Sequence, residues 1–208
     1  MSTATQTKSP WPIFEAVTED GRRLRSGRSR RRIIEALFDL LGEGNMSPSA
    51  ASVADRANVG LRTVFRHFED MDSIYNEMTE ALATAIMPKL LAPYESATWR
   101  ERLMECVEKR ADIYESVFPM KVCMTLRYFQ SDFLRKQYQK DVKMLRSTLT
   151  AILPGEIVAD RQLFAALEVT LSFATWRRLR QDQNMSGEEA KGTLRLMLRG
   201  LIADVTEA

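Results

Sequence analysis

Histidine is almost absent from this 208-residue chain, which carries only His67. Cysteine is nearly as scarce: Cys106 and Cys123 stand far apart in apolar contexts, with no CxxC pair. These two shortages exclude the usual His/Cys metal sites and leave the thiols as small buried hydrophobes. The chain also lacks a glycine-rich phosphate loop and a nucleophile motif, and no carboxylate motif accompanies His67 as a base. The expectation is a protein that is not an enzyme and uses no cofactor and no metal, with an all-helical enzyme as the least favoured alternative. No apolar run approaches the roughly 18–20 residues that cross a bilayer. The polar start MSTATQTKSP has no apolar core of a secretion signal, so a cytoplasmic protein with no membrane partner is expected.

What is present is an ordinary globular composition, 45% hydrophobic and 28% charged, on a chain long enough for a sizeable core. The net charge of +2 hides an asymmetry. Residues 21–68 carry ten arginines against four acids, a surplus of six positive charges, and the remainder of the chain is negative by four. A segment so basic points to a polyanion, either nucleic acid or an anionic membrane surface. The membrane surface is the weaker candidate, because the basic arm has no amphipathic apolar face.

No strand alternation and no internal repeat is evident, so the fold class is all-α. Ile33, Ile34, Leu37, Phe38 and Leu41 recur at helical spacing, and GEGN stops that first helix. A short second helix follows, with Ser47 or Ser49 as its cap and Val53, Ala54 and Ala57 on one face. A third short helix lies in NVGLRTVFRHFEDM, residues 58–71. Asp70 or Asp72 caps a longer fourth helix through Ile74, Met78, Leu82 and Ile86, which kinks or ends near Met87 because Pro88 follows. Further helices are predicted over about 98–118, 119–130, 132–153, 156–183 and 186–206, roughly nine in all.

Two short helices separated by about three residues, the second rich in Arg, Thr and His, form the pattern of a helix-turn-helix. Asn58 stands where the turn needs a left-handed residue, and Gly60 stands at the cap of the third helix. Val64 and Phe68 are placed inward, leaving Leu61, Arg62, Thr63, Arg66 and His67 for a partner. In a major groove the first residues of such a helix reach base edges, so Arg62 suits guanine, Thr63 a base edge and Leu61 a thymine methyl. Arg66 and His67 then lie nearer phosphates. Arg28, Arg30 and Ser49 complete the candidate set for double-stranded DNA.

The run ANVGLRTVFRHF, residues 57–68, preceded by SVAD and a basic helix, resembles the DNA-binding signature of TetR-type transcriptional repressors. The match covers about residues 28–80. Beyond it the resemblance rests on helix count and on ATWRRLRQDQNMSGEEA, which is similar to the junction of the last two helices in many relatives. The resemblance implies a homodimer that binds a palindromic operator and is released by a small effector held in the C-terminal domain. Where relatives mostly carry glycine and serine, this chain has Asn58 and Gly60. Phe65 and Met71 replace a usual tyrosine and lysine and remove two phosphate contacts. The seven arginines of residues 22–32 are expected to compensate, as an arm along or within the minor groove. Three parts are therefore expected: a flexible basic arm over 1–27, a helix-turn-helix domain over 28–75, and a helical effector-binding and dimerisation domain over 76–208. A low-specificity DNA-coating protein dominated by the arm is the alternative.

The last two predicted helices have broad apolar faces. Leu167, Leu171, Leu194, Met197, Leu198 and Leu201 are assigned to the dimer interface that the resemblance implies, a four-helix packing of those helices with their symmetry mates. Met78, Leu82, Trp99, Leu103, Tyr114, Met124, Tyr128, Phe129 and Trp176 are candidate walls of a pocket for a lipophilic or aromatic effector. Arg110, Arg127 and Tyr128 are its candidate polar anchors.

Overall fold

Leu24–Gly42 forms α1, the first element of the computed structural model, which describes residues 24–205. Its expected apolar stripe is realised, for Ile33, Ile34, Leu37, Phe38 and Leu41 are all buried. Each such side chain contributes roughly 1.5–3 kcal/mol by leaving water. The helix stops at Gly44, which takes φ 91°, while the Asn45 and Gly44 amides donate to the carbonyls of Leu40 and Leu41 at 2.9 and 3.1 Å. That pair of bonds satisfies carbonyls that the helix end would otherwise strand.

Ala50–Arg56 forms α2 and Leu61–His67 forms α3. Ser49 caps α2 in a reciprocal box with Ser52: the Ser52 amide donates to Ser49 Oγ at 3.1 Å and the Ser49 amide to Ser52 Oγ at 2.9 Å. Met71–Leu90 forms α4, opened by Asp70, whose Oδ1 accepts the Ser73 amide at 2.8 Å. The helix does not end near Met87. Pro88 lies inside it, and the Leu91 amide still donates to Met87 O at 3.0 Å. The proline sits within the last turn, where only one ladder bond is forfeited.

Trp99–Ser116 forms α5, Phe118–Arg127 α6 and Asp132–Thr150 α7. The predicted single helix over 156–183 is broken into α8 (Gly155–Ala159), α9 (Arg161–Thr170), α10 (Phe173–Arg177) and a π-helical turn over Arg178–Asp182. The breaks are made by capping side chains. Asp160 accepts the Gln162 and Leu163 amides at 3.0 Å each, and Ser172 accepts the Thr175 amide at 3.2 Å. Short polar side chains that bond nearby amides compete with the continuous ladder. Gly187–Leu201 forms α11, capped by a Ser186/Glu189 box. The described residues thus hold eleven α-helices rather than nine, and no strand.

Two compact units result. The first holds residues 24–86 together with Val122–Arg135, and the second holds Met87–Lys121 and residues 136–205. Helix α4 continues unbroken through residue 75. Within the first unit, Ser131 caps α7 by accepting the Leu134 amide at 3.1 Å and donates its hydroxyl to Asp72 of α4 at 2.9 Å. Arg127 reaches Ser47 Oγ at 3.0 Å and lies 5.1 Å from the Tyr75 ring centroid. Segment 122–135 is thereby fastened to the α1–α2 loop and to α4. Within the second unit α11 packs on α5 and α9.

Asn58 takes φ 51°, a conformation that costs a side chain with a branched Cβ about 1–2 kcal/mol. Asn58→Gly is expected to leave the urea midpoint unchanged or higher, and Asn58→Val to lower stability by about 1–2 kcal/mol, measured by equilibrium unfolding.

Candidate nucleic-acid interface

The angle between α2 and α3 is set by a four-residue turn. The Val59 and Asn58 amides donate to Ala54 O and Asp55 O, both at 3.0 Å, which closes the end of α2 around the left-handed Asn58. Arg32, from α1, donates from Nη2 to the carbonyl of Ala57 and, at 3.3 Å, to that of Asn58. One guanidinium therefore closes two carbonyls of the turn and ties it to the first helix. The cap of α3 is Gly60, whose carbonyl accepts the Thr63 and Val64 amides at 2.7 and 3.3 Å.

Val64 and Phe68 are buried and anchor α3, as their spacing requires. Leu61, Arg62 and Arg66 are exposed, while Thr63 and His67 are half-buried. Neither Arg62 nor Arg66 makes a side-chain hydrogen bond or ion pair among the described residues. Phe65 belongs to the same outward face and is absent from the predicted set. It is 51% exposed, and Leu61, one turn earlier, is 44% exposed. The signal for Phe65 was available, since burying both Val64 and Phe68 leaves the intervening aromatic no inward direction. The outward face of α3 is thus an apolar pair, Leu61 and Phe65, flanked by two unpaired guanidinium groups.

The other arginines of the basic segment are largely consumed by the fold. Arg30 donates from Nε to both Glu77 oxygens, at 2.9 and 2.8 Å, and from Nη1 to His67 O at 3.2 Å. Its guanidinium also stacks 4.6 Å from the Phe68 centroid. Arg31 pairs with Glu35 at 3.0 Å, and Arg56 pairs with Glu43. Arg30 therefore fastens α1 to the end of α3 and to α4, a role absent from its assignment as a DNA contact. Ser49 likewise spends its hydroxyl on the α2 cap. Arg28 is exposed. Helix α1 begins at Leu24, inside the expected flexible arm; residues 1–23, with Arg22 and Arg23, lie outside the described residues.

The candidate pocket residues fall in both units. Met78, Leu82 and Met124 are buried in the first, where Tyr128 is half-buried and Phe129 is 86% exposed. Such exposure makes Phe129 no wall of an interior cavity. Leu103, Tyr114 and Trp176 are buried in the second unit, and Trp99 is half-buried there. Four of the candidate dimer residues, Leu167, Leu171, Leu194 and Leu198, are buried within the chain itself and are corrected to its own core. Met197 is exposed and Leu201 half-buried. More exposed than Met197 on the same helices are Val169 at 59% and Leu196 at 71%. Among the described residues no group of three His, Cys, Asp or Glu is placed to hold a metal ion, and no helix is long and apolar enough to cross a membrane.

His67 Nε2 is buried and has no hydrogen-bond partner among the described residues. Burial of the ring, then the charges of Arg66 and Arg30, push its pKa below the ordinary 6.5. The folded state holds this ring neutral, while the unfolded chain takes up a proton as pH falls through 6.5. The stability that His67 contributes is present above 6.5 and is lost as pH falls through the lower folded value. His67→Gln is expected to flatten the decline of the unfolding midpoint on acidification, and parallel pH profiles for the two proteins would refute this.

No family model matches the chain, and no curated protein matches its sequence. Solved structures do match. A transcriptional regulator from Rhodococcus sp. Rha1 superposes with a TM-score of 0.67 at 18% identity, over 86% of this chain and 100% of that one. A Clostridium perfringens candidate fatty acid metabolism regulator gives 0.58 at 14% identity, over 85% of this chain and 100% of that one. A TetR transcriptional regulator from Rhodococcus sp. RHA1 gives 0.48 at 15% identity, over 86% and 99% of the two chains. The all-helical fold of this chain is accordingly similar to that of the first two regulators across most of its length.

Proposed function

We propose that the chain is a sequence-specific DNA-binding transcriptional regulator, a repressor that binds a palindromic operator as a homodimer and is released by a small lipophilic or aromatic effector. The observation that carries this reading is the outward face of α3, where Leu61, Arg62, Phe65 and Arg66 are presented unpartnered by a helix-turn-helix whose turn is closed at Asn58. The likeness to two solved regulators and the sequence signature at residues 57–68 support it. In this reading residues 28–75 form the reading head, residues 1–27 an arm, and residues 76–208 the dimerising and effector-binding part of a cytoplasmic protein. Arg62 and Thr63 read bases, Leu61 and Phe65 meet thymine methyls or sugars, and Arg66, Arg28 and His67 approach phosphates. A coating role is disfavoured by the engagement of Arg30, Arg31 and Arg32, three of the seven arginines of residues 22–32, with Glu77, Glu35 and the turn carbonyls.

The dimer face is proposed on the solvent side of α9 and α11. Ala165 and Val169 lie on one, and Gly192, Leu196 and Gly200 follow the other at four-residue spacing, with Ala203 in the turn after α11, all exposed. A Cβ at Gly192 or Gly200 would meet nothing within 4 Å, so both leave room for a second helix to approach closely. Such an apolar stripe suits antiparallel packing with a symmetry mate.

Selection of bound duplexes from a random pool is expected to yield a palindrome, and no enrichment would overturn the reading. Arg62→Ala is expected to cost about 1–3 kcal/mol at one operator position, whereas Arg66→Ala weakens all sequences and lowers the salt slope by about one. Leu196→Glu is expected to sediment as a monomer and to lose binding to the palindrome; an unchanged dimer would move the interface elsewhere.

A further inference from the structure

Arg110 is a buried cation that no carboxylate among the described residues pairs with. It lies on α5, 2% exposed, and its hydrogen bonds go only to neutral acceptors. Nη1 donates to Leu171 O at 3.2 Å, and Nη2 to Leu145 O at 2.7 Å and Thr148 Oγ1 at 3.4 Å. The Nε–H is buried and has no acceptor among the described residues. Leu171 closes α9, so its carbonyl brings the partial negative charge of a helix C-terminus, which offsets only part of a full positive charge. Glu168, one turn earlier on α9, is engaged by Arg146 at 3.4 Å. Burial opposes the guanidinium charge, but a guanidinium does not lose its proton in a protein, so Arg110 stays charged among neutral groups. A buried ion in that condition is expensive unless an anion joins it.

The surroundings say what kind of anion fits. The Tyr114 hydroxyl donates to the same Leu171 carbonyl at 2.9 Å, which sets the Tyr114 ring beside Arg110. That ring meets Phe173 edge-on with centroids 5.5 Å apart, and Phe173 meets Phe118 in the same way at 5.4 Å. Phe118 and Phe173 are half-buried, whereas Tyr114 is buried. A row of aromatic rings therefore leads from a partly exposed rim to a guanidinium whose Nε–H is unpaired. All these groups belong to the second unit.

We propose that Arg110 receives the head group of a ligand bound in the second unit, and that the ligand is an amphiphilic carboxylate with its apolar body along Tyr114, Phe173 and Phe118. This rests on reading that unit as the effector-binding part of the regulator, and it names the class of effector. A single positive charge with an unpaired Nε–H matches a monoanion, and charge-assisted hydrogen bonding supplies the selectivity for acid over ester. The aromatic edges supply apolar contact without polar groups that a hydrocarbon or ring system would leave unpaired.

The test uses the full chain, titrated calorimetrically with octanoate, decanoate, dodecanoate and phenylacetate and with the methyl ester of each. At least one acid is expected to bind more tightly than its ester by about tenfold or more. Arg110→Gln is expected to abolish that preference and Arg110→Lys to keep part of it, with circular dichroism confirming both folds. If Arg110→Gln does not fold, the wild-type comparison of acid with ester and the lysine variant decide. No binding by any acid, equal binding of acid and ester, or an unchanged preference in Arg110→Gln overturns the proposal. Selection of DNA by the unliganded protein is scored separately. A palindrome without acid binding removes only this inference, and acid binding without DNA enrichment removes the regulator reading.

Discussion

Everything presented by α3 depends on the turn that precedes it, and that turn depends on Arg32. Three constraints meet within four residues: a left-handed Asn58, two amides folded back onto Ala54 and Asp55, and carbonyls of Ala57 and Asn58 that the reversal turns away from any helix ladder. Buried or half-buried carbonyls without donors are costly, and a single planar guanidinium closes both. Because Arg32 comes from α1, the same contact fixes the turn to the helix that carries the largest share of the first unit's core. Arg30, two residues earlier, does the equivalent at the far end of α3 through His67 O, Phe68 and Glu77. The short helix is held at both ends from one neighbour, so its seven residues need little intrinsic helix stability.

This arrangement changes the meaning of the basic segment. Counting charge along the chain credits each arginine to a partner, yet a folded protein spends cations on its own carbonyls and carboxylates first. Among the described side chains what remains is a small set, Arg28, Arg62 and Arg66, all exposed. Of the arginines of α1 whose side chains the structure describes, Arg30, Arg31 and Arg32 are engaged within the fold, and Arg28 is left to offset the loss of donors at Phe65 and Met71.

The first unit was legible because its signals are local. A left-handed asparagine, the glycine that ends α1, the Asp70 cap and the inward pair Val64 and Phe68 each follow from a residue and its near neighbours. The role of Arg30 and Arg32 was not legible, since a side chain's partner 47 or 25 residues away leaves no trace in spacing. The C-terminal helices failed differently. A broad apolar face is compatible with packing inside the chain or against a copy, and periodicity cannot choose between the two. Leu167, Leu171, Leu194 and Leu198 turned out to fill the chain's own core, while Val169 and Leu196 face solvent. The continuous run over 156–183 likewise concealed its breaks, because Asp160 and Ser172 act as caps only once the flanking helices turn away from one another.

The composition of the α3 face bears on how the proposed regulator discriminates. A surface built only to hold a polyanion needs cations and nothing else, because phosphate attraction is insensitive to sequence. Leaving Leu61 and Phe65 exposed incurs the solvation cost of two large apolar groups and contributes nothing to such attraction. The pair becomes favourable only against a surface that fits closely enough to exclude water, as methyl groups and sugars of a groove do. Arg62 and Arg66 beside it then work in two regimes. Each attracts phosphate at a distance, but once the apolar pair has docked, Arg62 at the start of the helix is held where only certain base edges complete its hydrogen bonds. Discrimination in this reading arises from the apolar contact fixing the register of the charged one, and the phenylalanine that removes a phosphate donor at position 65 becomes part of the readout.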